Sequence, residues 1–282
     1  MALNLEAVGQ RFDVGERTWD STDAIIYALG VGAGSQDPSA ELEFTTENSE
    51  GVQQKALPTF PVVLWSREKP VSLGDFHLSK VLHAEQSLTL HQTIPVAGTA
   101  RTTSTIRAFY DKGPHALAVV DSELTDTCGG QLLATISKTV FIRGEGGFGG
   151  ERGSSAAWEL PDRPADRTVS YPTRADQALL YRLSGDRNPL HSDPSFAKRA
   201  GFDQPILHGL CSYGVTGRAL LHAMCDGDPA AFGSMSVRYT KTVLPGEELT
   251  VEMWETDEGC RFRTRVGDRL VLDRGEFTRR AS

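Results

Sequence analysis

Long apolar runs are absent from the 282-residue chain, so no segment of about 18 apolar residues offers itself as a membrane span. Cysteine is scarce. Cys128, Cys211, Cys225 and Cys260 are widely spaced and form no Cys-x-x-Cys pair. Neither a structural zinc nor a disulfide framework is expected, and a reducing cytoplasm is the expected location. An excess of positive charge is missing as well: 29 Lys and Arg against 37 Asp and Glu give a formal net charge of -8. That argues against sequence-independent binding of nucleic acid, which draws on clustered cations. No Walker-type run calls for a nucleotide cofactor. The first residues lack the basic-then-apolar order of a secretory signal, and Arg279-Arg280-Ala281-Ser282 is not a Ser-Lys-Leu address.

What is present reads as two similar halves. Residues 22–29 form a largely apolar helix that Ser21 can cap and Gly30 can close. Strand-like runs follow at 87–94, 104–110, 116–125 and 132–142. Residues 144–150 contain five glycines, and Pro161, Pro164 and Pro172 come after them, so 151–173 reads as a linker. The second half starts with a helix at 175–183 and a short one at 194–200, with Asp193 as cap and Pro194 as first residue. A long buried helix is expected from about 209 to 224. Strands are expected at 235–243, 249–254, 261–266 and 270–277. One buried helix wrapped by an antiparallel sheet, made twice, predicts an α+β pair sharing a continuous sheet.

The chemistry concentrates in Gly185-Asp186-Arg187-Asn188-Pro189-Leu190-His191, with His208-Gly209 downstream. In a straight helix Asp186 and His191 would lie on different faces. Gly185 and Pro189 favour a turn instead, which can bring both side chains to one cavity. A carboxylate beside an imidazole can hold a water and move its protons. An Asx turn at Asp186 and a capping loop at His191 would explain the same residues without chemistry. Gly209 opens the long helix, where amides are unpaired and negative charge is favoured. Its N–H can meet a developing oxyanion, although a glycine there also suits close helix-to-sheet packing. His191, Asp193 and His208 could instead hold a transition metal, but Asp193 reads better as a helix cap. Arg67, Lys69, Arg238 and Lys241 are available to meet phosphates; solvated charge explains them equally well.

Tyr181 to Pro194, with Ala200-Gly201-Phe202-Asp203 and Pro205-Ile206-Leu207-His208-Gly209-Leu210-Cys211, closely resembles the hydratase 2 motif of MaoC-like enoyl-CoA hydratases. Ala28 to Ala33, Leu57 to Phe60, Lys80 to Gln86 and Gly146 to Gly150 resemble the first half of the two-repeat members of that family. The resemblance implies a double hot-dog fold and interconversion of trans-2-enoyl-CoA with (R)-3-hydroxyacyl-CoA. It implies that Asp186 and His191 are the catalytic pair, that Asn188 positions substrate or water, and that the Gly209 amide binds the thioester oxygen. Glu47 falls near a family acidic position through a gapped match. Glu85 matches more clearly and also suits a structural ion pair. Water is the only co-reactant implied, with no cofactor and no metal. Residues 1–150 would be a degenerate repeat that accommodates a long acyl chain, with Ile25, Ala28 and Leu29 either lining its path or simply packing the core, and 174–282 the repeat carrying the motif. A homodimer follows by family analogy. A dehydratase acting on carrier-protein thioesters, and a non-catalytic thioester-binding module, are the competing readings.

Overall fold

The computed structural model describes residues 2–65, 71–77, 80–153 and 157–280; Arg67 and Lys69 lie outside them. Five strands of the first half are β1 (Arg11–Trp19), β2 (Val81–Leu90), β3 (Gly98–Asp111), β4 (Ala116–Asp126) and β5 (Leu132–Ile142). Five of the second are β6 (Arg167–Pro172), β7 (Phe232–Tyr239), β8 (Glu248–Thr256), β9 (Gly259–Val266) and β10 (Arg269–Arg279). All pair antiparallel into one sheet of order β1-β3-β4-β5-β2-β7-β10-β9-β8-β6. Each half therefore runs first, third, fourth, fifth, second, and the two meet at their second strands. That repetition is the duplicated hot-dog plan expected from the sequence.

Both edge strands depart from the sequence reading. β1 was not foreseen, and β6 lies inside the stretch expected to be linker, 151–173. A bulge between Asp13 and Gly15 breaks the alternation of β1. β6 is a short edge strand ending at Pro172, and it pairs only with β8. The Gly144–Gly150 run is also more than a spacer: its Gly147 and Gly149 amides donate to the carboxylate of Asp111 at 3.0 and 2.8 Å.

Helix α1 (Ser21–Gly30) is capped by Asp20, not Ser21, through a reciprocal capping box with Asp23. Gly32 and Gly34, with φ of +83° and +65°, turn the chain away after it. A four-residue turn, α2 (Leu42–Thr45), follows. In the second half come α3 (Gln177–Tyr181), α4 (Pro194–Arg199) and α5 (Gly209–Cys225). Both expected helices form: α1 has 10 residues where 22–29 was expected, and α5 has 17 where about 209–224 was expected. Every residue from Cys211 to Leu221 is buried, as a helix wrapped by a sheet must be.

The halves are joined both through the sheet and beneath it. Across β2 and β7, residues 85–89 pair with 234–238, and Glu85 bonds Arg238 at 2.6 Å. Beneath the sheet, Arg218 of α5 is 4% exposed and holds Glu41 with bonds of 2.8 and 2.9 Å. Its third nitrogen donates to the Val31 carbonyl at 3.0 Å. His222 adds a 2.8 Å bond to Glu41. Burial would raise the Glu41 carboxyl, but His222, Arg218 and the Gly34 amide hold it down at about 2.

Candidate active site

After α3, a 3-10 turn at Arg182–Ser184 leads to Gly185, whose φ of +125° suits a residue without Cβ. The chain reverses there. Asp186 Oδ1 accepts the Asn188 N–H at 3.2 Å, and Asn188 Oδ1 accepts the Leu190 N–H at 3.0 Å. These stacked Asx turns start the 3-10 turn Pro189–His191. Asp186 and His191 thereby face the same space, although five residues separate them.

The imidazole of His191 is buried, and its Nδ1 lies 2.8 Å from the Ile206 carbonyl. A carbonyl only accepts, so Nδ1 carries the proton and Nε2 keeps a lone pair. His208 Nε2 donates to the Asp186 main-chain carbonyl at 3.1 Å. The two rings stack at 3.7 Å with 28° between their planes, and Tyr181 flanks His208 at 4.9 Å. Burial lowers the pKa of His191. Burial, reinforced by neighbouring His191, lowers His208 to about 4. Both rings are therefore neutral near pH 7. One carboxylate oxygen of Asp186 and one nitrogen of each ring lie within 4.8 Å of one another, a span that one water can bridge.

Each histidine commits one nitrogen to a carbonyl, which leaves one ring nitrogen of each, beside the Asp186 carboxylate, to hold a water and move its protons. Asp193, considered above as a ligand, is exposed and caps α4 by accepting from Ser195 and Phe196.

The first two amides of α5, at Gly209 and Leu210, have no partner among the described residues. They form the open, positive end of a 17-residue dipole. Gly209 also meets the packing reading: an added Cβ would lie 3.1 Å from the Tyr239 ring.

Two cavities flank this group. One, of about 320 Å³, has Asp186 and Leu210 at its wall and reaches into the first half, where Val14, Val62, Val120 and Ile136 line it. The other, of about 350 Å³, is lined by His191 together with Ala178, Leu179, Gln204 and Pro205. Ile25, Ala28 and Leu29 line neither. Helix α1 packs against α3 and the turn after it, with Ala28 in the core and Leu29 40% exposed. The first cavity lies instead over residues of β3, β4 and β5.

Glu47 is exposed just beyond α2 and is not brought to the group. The buried carboxylate of that region is Glu41. Asn188 is exposed, and its oxygen serves the turn. Arg238 is committed to Glu85, while Lys241 is exposed. Three participants were not singled out from sequence: His208 as ring partner of His191, and Lys138 and His83 in the first cavity. A signal for Lys138 was present, because it follows Ile136 at the two-residue period that faces the interior.

Known protein families match both halves of the chain. The MaoC-like domain family matches residues 157–273, and the MFE-2 hydratase 2 N-terminal domain matches 18–144. The chain is 44% identical to 3-hydroxyacyl-thioester dehydratase Y of Mycobacterium tuberculosis, over 98% of each chain. It is 43% identical to the enoyl-CoA hydratase ChsH3 of the same organism, over 90% of each. Among solved structures, a MaoC-like dehydratase from Phytophthora capsici superposes with a TM-score of 0.88 at 32% identity, over 99% of each chain.

Proposed function

Because the chain belongs to the MaoC-like hydratase and dehydratase family, with a hydratase 2 N-terminal domain in its first half, we propose that it is a hydro-lyase that reversibly hydrates trans-2-enoyl-CoA to (R)-3-hydroxyacyl-CoA in fatty-acid metabolism. The observation that carries this reading is the pairing of the Asp186 carboxylate with a neutral His191 whose Nε2 is free to accept.

A water held between the two is the nucleophile. Its oxygen attacks C3 as a proton passes to the base, and the C2–C3 π electrons move toward the thioester. Charge gathers on the thioester oxygen, where the Gly209 amide stabilises it. C2 then takes a proton on the face the water came from, a syn addition with atoms balanced by one water. The acyl chain occupies the cavity in residues 1–150, and the thioester arm the more open cavity beside His191. Residues 174–282 carry the chemistry.

A carrier-protein thioester is the second reading. Leu179, 52% exposed on the wall of the open cavity, favours a macromolecule covering that mouth. Exposed Leu179 and Leu183 support a homodimer, and four free cysteines support a cytoplasmic location. The test mixes purified protein with trans-2-enoyl-CoA and follows the conjugated-thioester absorbance, with chiral analysis of the product. Loss of the band with (R) product is expected. An (S) product, or activity only on carrier-linked substrate, would overturn the CoA reading.

A further inference from the structure

Lys138 of β5 points into the first cavity, on the side of the first half. It makes no ion pair or hydrogen bond among the described residues, and its ammonium lies 5.8 Å from the centre of the Trp65 ring. The titratable groups facing it are Asp186, too far for an ion pair, and His83, which is neutral because burial and Lys138 itself push it down to about 3. Polar side chains stand among the apolar ones that make up most of this wall. Thr102, Ser104 and Gln86 are 2%, 4% and 3% exposed and line it together with Ser122. Ser104 and Ser122 bond each other, but the Thr102 hydroxyl is buried with no partner.

Buried polar groups are normally paired, and an enclosed ammonium more so. A saturated chain filling this volume would displace water from Lys138 and offer nothing in return. A carboxylate would accept from it. Building on the hydratase reading, we propose that Lys138 selects acyl thioesters whose chain carries a carboxylate. Lys138 is then a specificity-determining residue, separate from the groups that move the proton. The volume, about 320 Å³, corresponds to roughly ten water-sized units at about 30 Å³ each, so the acidic chain is a short one.

The test compares kcat/KM for carboxylate-terminated and methyl-terminated trans-2-enoyl-CoA at matched chain lengths, in wild type, Lys138→Met and Lys138→Arg. A charge-assisted bond predicts a preference for the carboxylate of roughly tenfold or more at one length in wild type. Lys138→Arg keeps it, and Lys138→Met abolishes or inverts it. The ratio between substrates cancels any general loss of activity from the neighbourhood of Asp186. Efficient turnover of methyl-terminated substrates with no carboxylate preference, or a preference unchanged in Lys138→Met, overturns this proposal and leaves the hydratase reading standing. No turnover of either series overturns both.

Discussion

Replacing Asp186 by asparagine separates chemistry from structure. The side chain keeps its shape, so an oxygen remains to accept the Asn188 N–H, now at 3.2 Å. The main-chain carbonyl that orients His208 is untouched. No ion pair among the described residues involves Asp186, so the cost in stability is one hydrogen bond, at most about 1 kcal/mol. That corresponds to a fall in Tm of less than about 4 °C for a chain of this size. The loss in rate should be far larger. An amide cannot take the proton of the attacking water, and general acid-base help is worth about 100- to 10,000-fold. At about 1.4 kcal/mol per decade, the barrier rises by about 3 to 5.5 kcal/mol. Initial rates of enoyl-thioester consumption, measured beside thermal unfolding on the same preparation, resolve the two effects. An Asp186→Asn variant that turns over at the wild-type rate, or whose loss of rate merely tracks its unfolded fraction, would refute the reasoning.

Other expectations follow from the same geometry. His191 must offer an unprotonated Nε2, and burial lowers its pKa from 6.5; the acid limb of kcat/KM for hydration should therefore fall below pH 6.5. Because His208 drops to about 4 on folding, the unfolded chain binds more protons than the folded one below 6.5, and stability should decline as pH falls from there toward about 4. Glu41 shifts in the same direction over a lower window: its stabilisation is complete above its ordinary 4.5 and is lost as pH falls to about 2. Glu41→Gln leaves Arg218 as a buried cation without its counter-charge, which should cost about 3–5 kcal/mol in urea unfolding at neutral pH. Gly217→Ala places a Cβ 2.5 Å from the Thr59 methyl, disturbing the hydroxyl that Tyr27 bonds at 2.9 Å. A loss of about 1–3 kcal/mol is expected, and an unchanged denaturation midpoint would show that the contact yields freely.

Much of this fold was legible because its signals are local. Alternating Met235, Val237 and Tyr239 announce a half-buried strand, and the apolar face from Cys211 to Met224 announces α5. Gly185 and Pro189 exclude a helix between Asp186 and His191, which is why the pair could be expected on one turn. The edge strands were hidden because their patterns are weak where only one side is paired and the outer residues are wet. Strand β1 carries a bulge at Gly15, and β6 is exposed or half-exposed throughout. The cavity over the first half could not be read from α1: Ala24, Tyr27 and Ala28 of that helix are buried in the core, with Tyr27 against Phe60 and Tyr181. The tautomer of His191 was equally invisible, since it depends on a carbonyl 15 positions away.

The meeting of the halves at β2 and β7 has a consequence for how the chain folds and fails. Cut apart, each half would expose an unpaired strand edge, and the second would carry Arg218 without Glu41. An open edge beside apolar surface is a template for association. The duplicated unit is therefore a building block in ancestry and geometry but not in stability. Unfolding should be one cooperative event, and two separately expressed halves should regain solubility only in each other's presence.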